Sequence, residues 1–182
     1  MAIESHYLRN KVKYHTASIR RMLRLTEVPD EKADQVYSAI EIHSIEVAAL
    51  TRKLRDLGKL PDNTLENKIV KLKRFDSLGP DEQRAVPDFE KEYNMGDPQD
   101  DQLALARIVD IIIHSYILQA MGDEDYVFAY LLVTSDRTRS SGLYMITFSD
   151  FINACNEVAD AYPYSLHAMY DQQAQKWKYT RT

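Results

Sequence analysis

Arg107, Asp110 and His114 lie in the most apolar window of the chain, Leu103 to Met121. On a helix they fall within about 60° of one another and form one polar stripe. Asp110 reaches Arg107 at a spacing of three and His114 at a spacing of four, so an acid could orient an imidazole beside a cation. The same stripe also serves as a wet edge or as a polar seam between helices.

Other chemistry is not assembled by motif. The five glycines form neither a GxGxxG nor a GxxxxGK[ST] loop, which argues against nucleotide folds built on them. GxSxG, HExxH, CxxC and ExxH pairs are absent, so no metal site and no cofactor is expected. The single cysteine, Cys155, can form no disulfide within the chain, and the start Met1-Ala2-Ile3-Glu4 is not a secretory signal, so a cytoplasmic setting is expected. Arg107, Asp110 and His114 also make the apolar window a poor membrane span.

The elements that must position the stripe are read from periodicity. A first helix from about Ile3 to Leu25 carries Leu8, Val12, His15, Ile19 and Met22 on one face, and the segment around Pro29 ends it. A second, Glu31 to Leu57, carries Val36, Ile40, His43, Val47, Leu50, Leu54 and Leu57, with Gly58 as its left-handed cap. Leu65, Ile69 and Leu72 predict a shorter third helix ending near Phe75. Ser77 to Asp101 holds Pro80, Pro87, Pro98, Gly79 and Gly96 and eight acids against Arg84 and Lys91, and reads as a surface connection with one short helical turn.

Gln102 to Met121 then predicts a central helix. Tyr126 to Thr134 and Leu143 to Phe148 switch to a period of two and predict an antiparallel hairpin. Both its faces are apolar, so it is expected between helices or paired with a second copy. Ser149 caps a helix from Asp150 to about Ala161, and a last amphipathic stretch holds Leu166, Met169, Tyr170 and Trp177. The expected fold is one mainly α domain (α+β), a bundle of three to four long helices followed by a hairpin and C-terminal helices. Its parts are 1–76, the connection 77–101, and 102–182.

The stripe resembles the signature helix of HEPN domains, all-α bundles of which many are metal-independent ribonucleases, through the spacing Arg107-x6-His114. A second instance is Arg9-x5-His15, with Asn10 after the arginine. The resemblance implies His114 as general acid/base for a ribose 2′-hydroxyl and Arg107 as the phosphate clamp, with Asp110 orienting the imidazole. Ile-His-Ser occurs at both His43 and His114, so packing of the two helices would join the histidines in one polar cluster.

The net charge of −5 divides unevenly. Residues 1–26 hold six basic residues and one acid, so +5 there leaves −10 for the remainder. Arg9, Lys13, Arg20 and Arg24 could bind an anion such as RNA or an anionic surface, or could dock on the chain's own acidic connection or a partner's. Arg137 and Arg139, in the serine-rich hairpin loop, could also meet an anion or could form a solvated turn. The reading that follows is a cytoplasmic helical interaction or regulatory module, homodimeric or bound to a protein partner, without catalysis. The alternative is a HEPN-like ribonuclease or RNA-binding domain.

Overall fold

The computed structural model describes residues 2–25, 30–79, 88–122, 128–163, 165–171 and 173–182. Helices α1 (Ala2–Met22) and α2 (Asp30–Asp56) lie close to their expected bounds. Leu8, Val12 and Ile19 of α1 are buried in one cluster with Ile40, Val47 and Leu54 of α2, as their spacing requires. Gly58, at φ +62°, ends α2: its N–H donates to Arg55 O at 2.8 Å and the Lys59 N–H to Leu54 O at 2.9 Å. That pair of bonds is the Schellman pattern, which closes orphan carbonyls through a left-handed residue.

Beyond Gly58 the expected helical bundle is not formed. The third helix is one turn, α3 (Thr64–Asn67), followed by strand β1 (Ile69–Phe75). Buried Val70 and Leu72 alternate with Lys71 and Lys73, a period of two that the helical spacing of Leu65, Ile69 and Leu72 conceals. The acidic connection contains one further turn, α4 (Phe89–Glu92), and ends in β2 (Gln99–Ala104), antiparallel to β1 with Ile69 opposite Ala104.

The expected central helix is three elements. Its first residues belong to β2, α5 spans only Leu105–Ile113, and β3 runs over Ser115–Gly122. His114 stands between α5 and β3 at φ −108° and ψ 30°, outside helical geometry. Outside the stripe of Arg107, Asp110 and His114 the run is apolar nearly all round, so helix and buried strand cannot be told apart from sequence.

The hairpin forms as β4 (Phe128–Ser135) and β5 (Leu143–Thr147). Its expected first residues, Tyr126 and Val127, lie outside the described residues, as do Pro29, Pro80, Pro87 and Arg84. Helix α6 (Phe148–Asp160) follows, capped by Thr147 instead of Ser149, the Thr147 Oγ1 accepting from the Asp150 N–H at 3.0 Å. Where further helix is expected, the chain ends in a second hairpin, β6 (Leu166–Asp171) and β7 (Lys176–Arg181).

The large sheet has the order β2-β1-β5-β4-β3 and is antiparallel throughout, so the fold is α+β, with helices on a sheet. Strand β4 shows why its hairpin is apolar on both faces. Leu131 and Val133 enter the cluster shared with α1, α2, α5 and α6, while Leu132 enters a second cluster with Phe75, Tyr93, Ile117 and Leu143. Partly buried Phe89, Met95 and Tyr116 pack against that second cluster. The connection therefore covers the other face of the sheet, and the Tyr93 hydroxyl donates to Arg139 O at 3.2 Å. The β4–β5 pair is internal, between β3 and β1, and its apolar faces need no second copy.

Candidate functional site

The stripe is split by the end of α5. Asp110 and His114 are brought together, and the His114 N–H donates to Asp110 O at 3.1 Å. The cation between them comes from α2. Arg52 Nη1 lies 3.3 Å from Asp110 Oδ1 and 3.4 Å from His114 Nε2, and Arg52 Nε lies 3.5 Å from Asp56 Oδ2. A guanidinium only donates, so His114 Nε2 is the acceptor of that contact. Arg107 is exposed and stands apart from that pair; burial and Asp101 push the Tyr144 phenol upward, and nearby Arg107 and Arg74 offset part of the rise. The arrangement is a surface ion-pair network, and the wedge described below takes its walls from other residues.

Arg9, expected to meet an anion, is 1% exposed. Its Nη1 donates to Ala159 O and its Nη2 to Lys59 O, both at 2.5 Å, and its guanidinium lies 3.9 Å from the Tyr162 ring centroid. It ties α1 to the last turn of α6 and to the chain just past α2, where free carbonyls favour a cation. Burial pulls its pKa down, while Tyr162 and Asp160 oppose that pull. Lys13 pairs with Asp160 at 2.5 Å and Arg20 donates to Asn153 at 2.7 Å, so the basic side of α1 docks on α6. Arg24 is exposed just past α1 and Arg137 is exposed in the β4–β5 turn. Arg139 lies 5.3 Å from the Tyr116 ring, over the strand edge.

His43 meets His15 and not His114, because α2 turns that face to α1. Their Nδ1 atoms are 2.8 Å apart. Burial lowers both pKa values, the His15 value also through its neighbour His43, and Glu46 opposes the shift at each ring. Among the described residues, no three His, Cys, Asp or Glu side chains converge where a metal could be held.

Two features fall outside the expected sites. A wedge of about 470 Å³ opens between α2 and the edge strand β3, lined by Asp34, Tyr37, Ser38 and Glu41 on one side and Gln119 to Gly122 on the other. Glu41 accepts the outward Ala120 N–H at 3.2 Å, and burial raises its pKa against that bond.

The second feature is the β6–β7 arm. Register places Leu166, Ala168, Tyr170, Trp177, Tyr179 and Arg181 on one face, with the Tyr170 and Trp177 rings 5.4 Å apart. The opposite face carries His167, Met169, Asp171, Lys176 and Lys178. Leu166 (60%), Met169 (69%) and Trp177 (56%) are all largely exposed. At its base, Asp62 N–H donates to Arg181 O at 2.9 Å and Asp62 Oδ2 accepts the Arg181 N–H at 2.9 Å. The Arg181 guanidinium lies 2.7 Å from where a Cβ on Gly58 would stand, a flexible side-chain end that can shift, so it is the positive φ that calls for glycine there. The signal in sequence was the alternation Lys176-Trp177-Lys178-Tyr179, masked by the helical spacing of Leu166, Met169 and Tyr170. Among the described residues no helix is long and apolar enough to cross a membrane. No protein-family model, curated protein or solved structure matches the chain.

Proposed function

We propose that this chain is a protein-interaction module that works as a homodimer and carries no catalysis of its own, with the β6–β7 arm as its assembling element. The observation that supports this reading is the arm itself. A two-stranded hairpin is marginal alone in water, yet among the described residues this one is held to the rest of the chain at its base, through Asp62, and exposes Leu166, Met169, Tyr170, Trp177 and Tyr179. Burying those side chains against a second copy removes apolar surface from water and gives the hairpin the layer it lacks. A cytoplasmic setting belongs to the same proposal and rests on Cys155, the only cysteine and a buried one. Sedimentation velocity of the full chain at tens of micromolar tests it. A dimer is expected, and Met169→Lys with Trp177→Lys should shift it to monomer. A wild-type protein that sediments as a monomer overturns the reading.

A further inference from the structure

The two edges of the large sheet are unlike. Strand β2 presents Gln99, Asp100, Asp101 and Gln102, charged and polar side chains that discourage pairing with another strand. Strand β3, at the other edge, reads Ser115-Tyr116-Ile117-Leu118-Gln119-Ala120-Met121-Gly122. Its guard is Glu41, which reaches from α2 to the Ala120 N–H. Beyond that contact the wedge opens, with a strand edge on one wall and Asp34 and Ser38 on the other.

The arm complements this wedge in charge and in backbone. Residues 165–182 hold Lys176, Lys178 and Arg181 against Asp171, so +2 there leaves −7 for the rest of the chain. Among the described residues strand β7 has one edge without a strand partner, tied to Asp62 only at Arg181, and it alternates cations with aromatics, the lysines on one face and Trp177 and Tyr179 on the other. A strand laid beside β3 would turn one face to α2 and the other away from it. The lysine face, on which Lys178 also pairs with Asp171 at 2.6 Å and Lys176 makes no ion pair among the described residues, is the one that matches the acids of α2.

Reach decides whose wedge the arm enters. The arm is rooted at Gly58 and Asp62, past the C-terminal end of α2, whereas the wedge is walled by the first half of α2. At 1.5 Å per residue those places are about 30 Å apart. Six residues of strand extend about 20 Å, so the arm falls short of its own wedge.

We propose that the arm of one copy adds to the β3 edge of a second copy, with β7 in the wedge, Lys176 and Lys178 towards Asp34 and Glu41, and the exchange reciprocal. This rests on the homodimer reading and names the surface it uses. Main-chain pairing along β3 supplies affinity and the alternating side chains supply selectivity. A twofold exchange uses the same two surfaces on each copy and closes at two.

Charge reversal with rescue tests the docking. Asp34→Lys alone, and Lys176→Glu with Lys178→Glu, should each weaken the dimer at least tenfold by sedimentation, and the two sets combined should recover part of that loss. A cross-link gives an independent readout. Ser38→Cys protein mixed with Lys178→Cys protein should form an intermolecular disulfide under mild oxidation, with the enclosed Cys155 as a silent background. A wild-type dimer whose affinity ignores the reversals and whose two introduced thiols form no such disulfide overturns the docking and leaves the homodimer reading standing. A wild-type monomer overturns both.

Discussion

The Nδ1 atoms of His15 and His43 lie 2.8 Å apart across the contact between α1 and α2. One must donate and the other accept, so the pair cannot stay in contact with both Nδ1 atoms protonated. Both folded-state pKa values lie below the usual histidine value, chiefly through burial, with Lys11 also pressing on His15 and Arg21 on His43. The unfolded chain then binds more protons in mild acid than the folded one. The stability this pair contributes is complete above about pH 6.5 and is lost as pH falls through the lowered folded values. Thermal unfolding midpoints should drop from pH 7.5 to 5, and His15→Gln with His43→Gln should flatten that drop. Glu46 favours the charged rings, so Glu46→Gln should steepen it. An identical pH slope in wild type and the double variant would remove the pair from the account.

Arg9 and Lys13 sit one turn apart on α1 and should differ sharply in effect. Arg9 is enclosed and holds two carbonyls from distant parts of the chain, so Arg9→Ala leaves acceptors unpaired and should cost about 2 to 4 kcal/mol. Lys13 pairs with Asp160 in solvent, and Lys13→Ala should cost less than about 1 kcal/mol. Denaturant titrations of the two variants measure the difference, and equal losses would mean that Arg9 is not the tie described.

Cys155 is enclosed, and burial pushes its thiol up to about 12, with Thr51 offsetting part of that rise. A thiol with so little thiolate is a poor nucleophile. A thiol reagent at pH 8 should label native protein only at the rate of opening and denatured protein at once. Rapid stoichiometric labelling of the native chain would contradict the burial.

The network of Arg52, Asp110 and His114 is half in solvent, where ion pairs are worth little. His114→Ala should therefore change stability by less than about 0.5 kcal/mol. Single-stranded RNA incubated with wild type or with His114→Ala protein should stay intact in both cases. Cleavage by wild type that disappears in His114→Ala would return catalysis to this residue.

Where periodicity and length agree, the sequence is legible: α1, α2, the Gly58 cap, β4 with β5, and α6 all lie near their expected places. It fails at 102–121, because outside the Arg107, Asp110 and His114 stripe the run is apolar nearly all round and fits a buried strand as well as a helix, so nothing in it marks the break at His114. It fails at β1, where Lys71 and Lys73 fit both a helix surface and a strand surface. The proximity of Asp110 and His114 was readable, since four residues on one helix turn meet locally. Their cation was not, because Arg52 arrives from another helix 58 residues earlier in the chain. The same holds for His15 as the partner of His43.

The sheet order bears on the timing of synthesis. Strand β1 is made early, yet its inner neighbour, β5, spans Leu143–Thr147, and the outer neighbour, β2, is an edge. On the ribosome, residues 69–104 can form at most a two-stranded ribbon with its inner edge unpaired. The meander of β3, β4 and β5 supplies the missing partner only when about four-fifths of the chain has emerged. Until then that edge has no partner, and the charged Lys71, Lys73 and Arg74 of β1 are residues of the kind that discourage pairing with another strand.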